Sequence, residues 1–600
     1  MLKKFFTVFL GSMAAIWFST FLLVGFIFMA VALLMGDFNK DKVETDSVLY
    51  FDFSGEITER FEPPTLPDVI MGNEKTSLSL EEIEKALRMA ATDNNIKGVY
   101  IRLDGSSIGM AMRQELNALF QQFKKSGKWI VAYADNYSQG DFYTACVADQ
   151  VFINPSGSLA ATGLSATVPF FKNALDKLGV EVQVIKVGTF KSAVEPFILT
   201  AMSDSARMMY DVMLNTMWTD YVDSVVKNRN IEQGGDSMFR QMAATPMIAF
   251  TADELIEAKL FDNKYYGYQV DSLLKKKAGV DDKKLNLVGA RQYLSSFTGP
   301  DLGKLMEESD HVAVLYAVGD IVDSGNDGIV GDKMAPLIAQ LADDEKVKGL
   351  VLRVNSGGGS AFASEQIWAS LEYFKSKGKP FVVSMSDAAA SGGYYISCGA
   401  DKIYADPSTI TGSIGIFGII PYAKVLLNDK LGINFDVVET NPNTVLGRLD
   451  APLTPAQHTA LEKNIKDGYD LFISRVAAGR HMEDAAVRRI AEGRVWAGQT
   501  AMQLGLVDEM GALSDAVNYV LGKTGLSIDD CVAYPEIKLT PLEMLLSIDS
   551  ANASVGDAAA TSALKMLGLT PTQIHEIQNL SRRVRDMGAV QAKMEDIRVY

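Results

Sequence analysis

The 600-residue sequence is poor in the side chains that usually build metal sites and disulfide frameworks. Its three cysteines, Cys146, Cys398 and Cys531, lie far apart with no C-x-x-C spacing, so neither a zinc site nor a set of disulfides is encoded. No metal and no cofactor are expected. The four histidines, His311, His458, His481 and His575, all lie far in sequence from the serine that the motifs below single out. There is no long Lys/Arg run, and 57 basic against 74 acidic residues leave a net charge of −17. A phosphate-binding face needs a basic patch, so nucleic acid and an anionic lipid surface are not expected partners.

Charge is missing altogether between Lys4 and Asp37, where "FFTVFLGSMAAIWFSTFLLVGFIFMAVALLM" exceeds the ~20 apolar residues that span a bilayer. A cleaved signal peptide is the rival, since "AVA" at 30 to 32 resembles a cleavage site, but the stretch outruns an h-region of about 7–15 residues. The expectation is a retained N-terminal transmembrane helix over residues 1–40. Lys3 and Lys4 precede it, and the positive-inside rule sends everything after Asp37 across the membrane. The remainder is compositionally globular, 48% hydrophobic and 22% charged, and long enough for several domains.

What is present is a duplication. "NIKGVYIRLD" at 95 matches "KVKGLVLRVN" at 346, and "KKSGKWIVAYAD" at 124 matches "KSKGKPFVVSMSD" at 375. "CVADQVFINPSGSLAATG" at 146 matches "CGADKIYADPSTITGSIG" at 398, and "DSVLYFDFSGEI" at 46 pairs with "DHVAVLYAVGDI" at 310. Short β-rich runs alternate with amphipathic segments such as 363–378, where Ile367, Leu371 and Phe374 recur at helical spacing. That alternation predicts βαβ units and a parallel sheet in each half. The expected division is 1–40 anchor, 41–300 first repeat, 301–540 second repeat and 541–600 a C-terminal tail without an assigned role.

The copies differ where chemistry would sit. The second has Ser391-Gly392-Gly393 where the first has Gln139-Gly140-Asp141; the first carries Lys191 in "VGTFKSAVEPF" where the second offers Asn443 or Thr444. Each half holds one part of a composite site, unless the two copies have simply drifted. A serine nucleophile needs a base and an oxyanion hole. Gly392, with Gly358 or Gly359 of "RVNSGGGS", can supply backbone donors, since glycine leaves the amide unobstructed. A buried lysine among Val187, Phe190, Val194 and Phe197 can be neutral enough to act as base. Taken singly, Ser391 is as readily a helix N-cap, Lys191 a solvated surface residue and the glycine run a turn.

"RVNSGGGS", "AAASGGYYIS", "DPSTITGSIGIFG" and "VGTFKSAVEPF" resemble the signature segments of the bacterial signal peptide peptidase A (protease IV) family in its long, two-repeat, membrane-anchored form. The resemblance implies an α/β fold, a tandem duplication of a ClpP/crotonase-like domain. It implies a serine endopeptidase with Ser391 as nucleophile, Lys191 as general base and Ser413 orienting the lysine. It also implies signal peptides and short hydrophobic peptides as substrates, a homo-oligomer with a tetramer favoured, and a bacterial inner-membrane protein with its catalytic part outside the cytoplasm. Substrate backbone is expected along Ser360, Gly412, Ile414, Gly415 and Ile416, with Ile414, Ile416 and Phe417 lining apolar pockets. Gly357 stands where the family has proline, which loosens the loop. A crotonase-type acyl-CoA enzyme and a catalytically inactive membrane scaffold are the alternatives.

Overall fold

The computed structural model describes residues 43–61, 78–232, 234–245, 247–281, 284–297, 309–441 and 443–536. The expected membrane anchor and the C-terminal tail lie outside the described residues. No helix among the described residues is long and apolar enough to cross a membrane.

The first repeat runs β1 (Ser47–Glu56), α1 (Leu80–Thr92), β2 (Ile96–Ser107), α2 (Met110–Lys124), β3 (Trp129–Ala134), α3 (Gln139–Ala145), β4 (Gln150–Ile153), β5 (Glu181–Lys186), α4 (Asp204–Asn228), β6 (Asn263–Lys264), α5 (Gly267–Ala278) and β7 (Leu287–Gly289). The second runs β8 (His311–Val318), α6 (Gly331–Asp343), β9 (Val347–Ser356), α7 (Ala361–Ser376), β10 (Phe381–Ala390), α8 (Gly392–Ser397), β11 (Lys402–Ala405), β12 (Ile410–Gly412), β13 (Phe417–Tyr422), α9 (Pro455–Gly479), β14 (Val495–Ala497), β15 (Glu509–Met510), α10 (Leu513–Thr524) and β16 (Cys531–Tyr534). Short helices and two-residue strands fill the connections.

The two main sheets have one topology. Strands lie in the order β6-β4-β3-β2-β1-β7 in the first repeat and β15-β11-β10-β9-β8-β16 in the second, with parallel pairing throughout both paths. Matching strands come from the matching sequence segments, so the chain is an α/β tandem duplication. Central strands are buried on both faces, as parallel sheets require: Leu350, Val351, Leu352 and Val354 of β9 are all fully enclosed. Ile367, Leu371 and Phe374 of α7 face that core as their spacing predicts. The second sheet gains an extension, in which β12 pairs with the last residues of β10 and, antiparallel, with β14.

A polar joint locks the repeats together. Arg353 of β9 is fully buried, with Nε donating to Glu59 (2.9 Å) and Nη2 to Glu115 of α2 (2.6 Å). Ser384 accepts from Nη1, and Asn355 donates to the other Glu59 oxygen. Asp387, near the end of β10, accepts from the Ala111 and Met112 amides at the N-terminus of α2 (2.9 and 3.1 Å). A carboxylate fits there because first-turn amides lack intrahelical partners. The second joint is a ribbon in which β5 of the first repeat pairs antiparallel with β13 of the second, from Glu181–Tyr422 to Lys186–Phe417. That ribbon delivers the chain after Lys186 to the edge of the second repeat.

Candidate active site

Ser391 lies between the end of β10 and the start of α8, the strand-to-helix position where parallel sheets present functional groups. It occupies the N-cap position, yet its hydroxyl caps nothing. Its backbone sits at φ 55° and ψ −115°, a region costly for any residue with a Cβ and characteristic of strained turns that project a nucleophile. Its amide donates to Gly412 O (2.9 Å), which fixes the turn against β12. The ordinary cap is found instead in the first repeat, where Ser138 at φ −70° accepts from Asp141 N (3.0 Å).

Lys191 follows the ribbon, at the entrance of a short 3₁₀ turn (Ser192–Val194). It is 3% exposed. Nζ lies 3.0 Å from Ser391 Oγ, 2.9 Å from Ser413 Oγ and 3.1 Å from Ser413 O. Burial alone pulls its pKa down to about 8, with no charged partner contributing. The three sequence-selected residues Ser391, Lys191 and Ser413 therefore meet at hydrogen-bonding distance within one chain. Ser413 is itself at φ 50° and is held by its amide on Arg494 O (2.7 Å).

The glycine loop beside Ser391 divides its tasks. Gly358 N–H donates to Ser356 Oγ (3.1 Å), so its amide already has an acceptor. Its backbone at φ 105° and the space beside it both demand glycine: a Cβ there would stand 2.7 Å from Gly392 N and 2.8 Å from Ser391 Cβ. Gly392 opens α8, where first-turn amides have no intrahelical acceptor. Ile321 N donates to Gly358 O (2.9 Å) and Ser360 N to Ile321 O (2.8 Å). By strand alternation, the N–H and C=O of Gly359 then face the opposite, open edge. Of the two candidate glycines, Gly359 has the available amide, while Gly358 keeps clear the space in front of Gly392. A Cβ at Gly357 meets nothing within 4 Å.

Three expectations are corrected. Ile414 is 1% exposed and belongs to the core of the second repeat, so it lines no pocket. One edge of residues 412–416 is already paired: Ile414 O accepts from Gly493 N of the same repeat (2.8 Å) and Ile416 O from Val187 N of the first repeat (3.1 Å), with Gly415 packed on Gly493. Ser360 Oγ caps α7 by accepting from Ala363 N (3.2 Å) and donates to Asp323, which leaves it occupied structurally. The lysine's surroundings also differ from those read in sequence. Val194 is buried, but Phe197 stacks on Phe171. The groups that crowd Lys191 are the Phe417 ring, 5.7 Å from Nζ, and Gly493, where a Cβ would come within 2.6 Å of Lys191 Cβ.

Gly493 and its neighbour Arg494 are the residues the sequence reading missed. The repeat comparison that singled out Ser391 also carries a signal here. Matching "AKLFDN" at 258 with "LGLVDE" at 504 puts Met247 and Ile248 opposite Gly493 and Arg494.

The equivalent position in the first repeat is closed. Asp141 is buried and accepts from Ser106 N–H and Oγ and from Ser138 Oγ. Arg113, also buried, lies 3.7 Å from Asp141, donates to Thr144 Oγ1 and Ser106 O, and leaves no room for a Cβ on Gly140. A paired charge thus occupies the first repeat at the register where the second has Ser391-Gly392-Gly393.

Peptidase family S49 matches residues 122–281 and 373–526, one segment in each repeat. Protease 4 of Haemophilus influenzae is 35% identical over 510 residues, covering 84% of this chain and 82% of the relative. Protease 4 of Salmonella typhi is 36% identical over 73% of this chain and 71% of its own length. The chloroplastic serine protease SPPA of Arabidopsis thaliana is 29% identical over 83% and 72%. With both repeats matched and such relatives aligned along most of their length, the chain belongs to peptidase family S49 and is a serine peptidase.

Proposed function

We propose that the protein is a membrane-anchored endopeptidase in which Ser391 attacks the peptide carbonyl and Lys191 is the general base, acting on cleaved signal peptides and other short hydrophobic peptides. The observation that carries this is the 3.0 Å approach of a buried, hydrogen-bonded lysine amine to a strained serine. Neutral Lys191 takes the Ser391 proton as the Oγ–C bond forms. The oxyanion develops against the amides of Gly392 and Gly359. The lysine ammonium, steadied by Ser413, then protonates the leaving amine; water attacks the acyl-enzyme with the same lysine as base. The Gly359 edge supports a substrate strand laid along residues 357–359 by β-augmentation, while Ile416 and Phe417, both half-buried, support the apolar preference.

The same reading puts residues 1–40 in the bacterial inner membrane and the peptidase outside the cytoplasm, on the strength of the apolar N-terminus and the lysines before it. It also makes the protein a homo-oligomer, with a tetramer favoured. Arg102 stands in the first repeat where Arg353 stands in the second, yet it is half exposed. Asp323 and Gln366 hold the registers of Glu59 and Glu115 and are exposed, as is Phe362 opposite the register of buried Ala111. Each chain thus carries an unjoined copy of both halves of its internal joint, an arrangement that favours head-to-tail rings.

The test is cleavage of a synthetic signal peptide by the detergent-solubilised full chain beside Ser391→Ala and Lys191→Ala variants that remain folded and assembled. Loss in both supports the proposal; wild-type activity in Lys191→Ala removes the base assignment. An inert parent, or indifference to both substitutions, favours the scaffold reading.

A further inference from the structure

The turn at residues 491–494 touches both the lysine and the serine that orients it. Glu492 O accepts from Phe190 N (2.9 Å), Gly493 packs on the Lys191 side chain, and Arg494 O accepts from Ser413 N (2.7 Å). The turn is conformationally costly at Glu492, which is at φ 55°, and relies on glycine at 493, φ 75°. Gly188, at φ 113°, lets the opposing backbone in, since a Cβ there would stand 2.5 Å from Glu492 C and O. A strained turn of the second repeat and a first-repeat segment opened by Gly188 are thus pressed together beside Lys191.

Arg494 spans this contact. Its guanidinium lies over the Phe190 ring at 4.9 Å and the Trp496 ring at 4.1 Å, joining a first-repeat residue next to Lys191 to β14 of the second repeat. Nε is buried without an acceptor, and among the described residues no carboxylate pairs with the group. A buried donor without a partner is costly, and what the guanidinium gains in return is its stacking on the two rings. An arginine that forgoes an ion pair to hold two rings acts through those rings. We propose that Arg494 is a positioning residue for the general base: by clamping Phe190 to Trp496 it fixes the Lys191 backbone and keeps water from the amine.

The proposal rests on Lys191 being the base. The experiment measures kcat, KM and the pH–rate profile on a fluorogenic signal peptide for the wild type, Arg494→Ala, Arg494→Lys, Phe190→Leu and the Arg494→Ala/Phe190→Leu double variant, with Lys191→Ala as control. Misplacing a catalytic group by a fraction of an ångström is expected to cost about tenfold or more, so Arg494→Ala should lose that in kcat with KM within about twofold. The midpoint of the rise in rate with pH should move to higher pH as water reaches the amine. Arg494→Lys keeps the charge but not the plane and should show the same split. Losses in the double variant should be less than multiplicative, because both substitutions break one clamp. Multiplicative losses, an unchanged midpoint, or a rise in KM with kcat intact would overturn the proposal. If Arg494→Ala fails to assemble, the split is read on Arg494→Lys. An active Lys191→Ala removes the base assignment itself, whereas an inert one beside unperturbed Arg494 variants removes only the clamp.

Discussion

The lysine's burial makes a quantitative prediction about pH. With its pKa brought to about 8, about 10% of Lys191 is neutral at pH 7, against about 0.03% for an ordinary lysine, a difference of about 300-fold in competent enzyme. The rate of Ser391 acylation, read as the burst with an activated ester peptide or as kcat/KM with a signal peptide, should rise about tenfold per pH unit below 7 and level off above about 9. Stability follows the same group. Between pH 8 and 10.5 the folded chain holds fewer protons at Lys191 than the unfolded chain, so this group's contribution to stability rises with pH across that window. Below pH 8 the full cost of the buried charge applies, about 3 kcal/mol from the fall between 10.5 and about 8. Lys191→Met should therefore stabilise the protein against urea at pH 6, by less than that amount because Ser413 loses its partner, and the gain should vanish near pH 11. A rate that keeps climbing to pH 10.5, or a Lys191→Met variant whose stability relative to wild type ignores pH, refutes the reasoning.

Other substitutions test other parts of the site. Gly358→Ala forces a Cβ to 2.7 Å from Gly392 N at a φ of 105°; kcat should fall about 100-fold or more, with the fold preserved by circular dichroism, and a loss under threefold would argue against an oxyanion at this position. Glu115→Gln removes one carboxylate from the Arg353 joint, both groups being buried, and should cost about 3–5 kcal/mol in denaturant unfolding; a change under 1 kcal/mol would mean the joint does not hold the repeats in register. Ser360→Ala deletes the α7 cap and should cost about 1 kcal/mol with KM unchanged; a raised KM at unchanged stability would return Ser360 to the substrate path.

Much of this architecture is legible in the sequence because it occurs twice. The match of "NIKGVYIRLD" with "KVKGLVLRVN" reappears as β2 and β9 at the same position in two identically ordered sheets. Ser391 and Lys191, proposed above as nucleophile and base, stand out in the sequence as complementary gaps between the copies. Contacts made by backbone conformation were less accessible. Ile414 and Ser413 are neighbours in one motif, but the positive φ at Ser413 turns the serine to Lys191 while Ile414 enters the core. The role of Gly358 depends on where Ser356 Oγ points, which spacing does not encode. Gly493 and Arg494 meet Lys191 and Phe190 across about 300 residues of chain, and only the strand pairing of β5 with β13 and of β12 with β14 brings them there.

The central claim is that one chain supplies both halves of the dyad. Its most direct test is signal-peptide cleavage by differently tagged Ser391→Ala and Lys191→Ala chains, co-expressed and purified through both tags as mixed assemblies. With serine and lysine meeting at 3.0 Å inside a single chain, the mixed assembly should be as inactive as either variant alone; recovery of a substantial fraction of wild-type activity would mean that the lysine serves a serine on another chain.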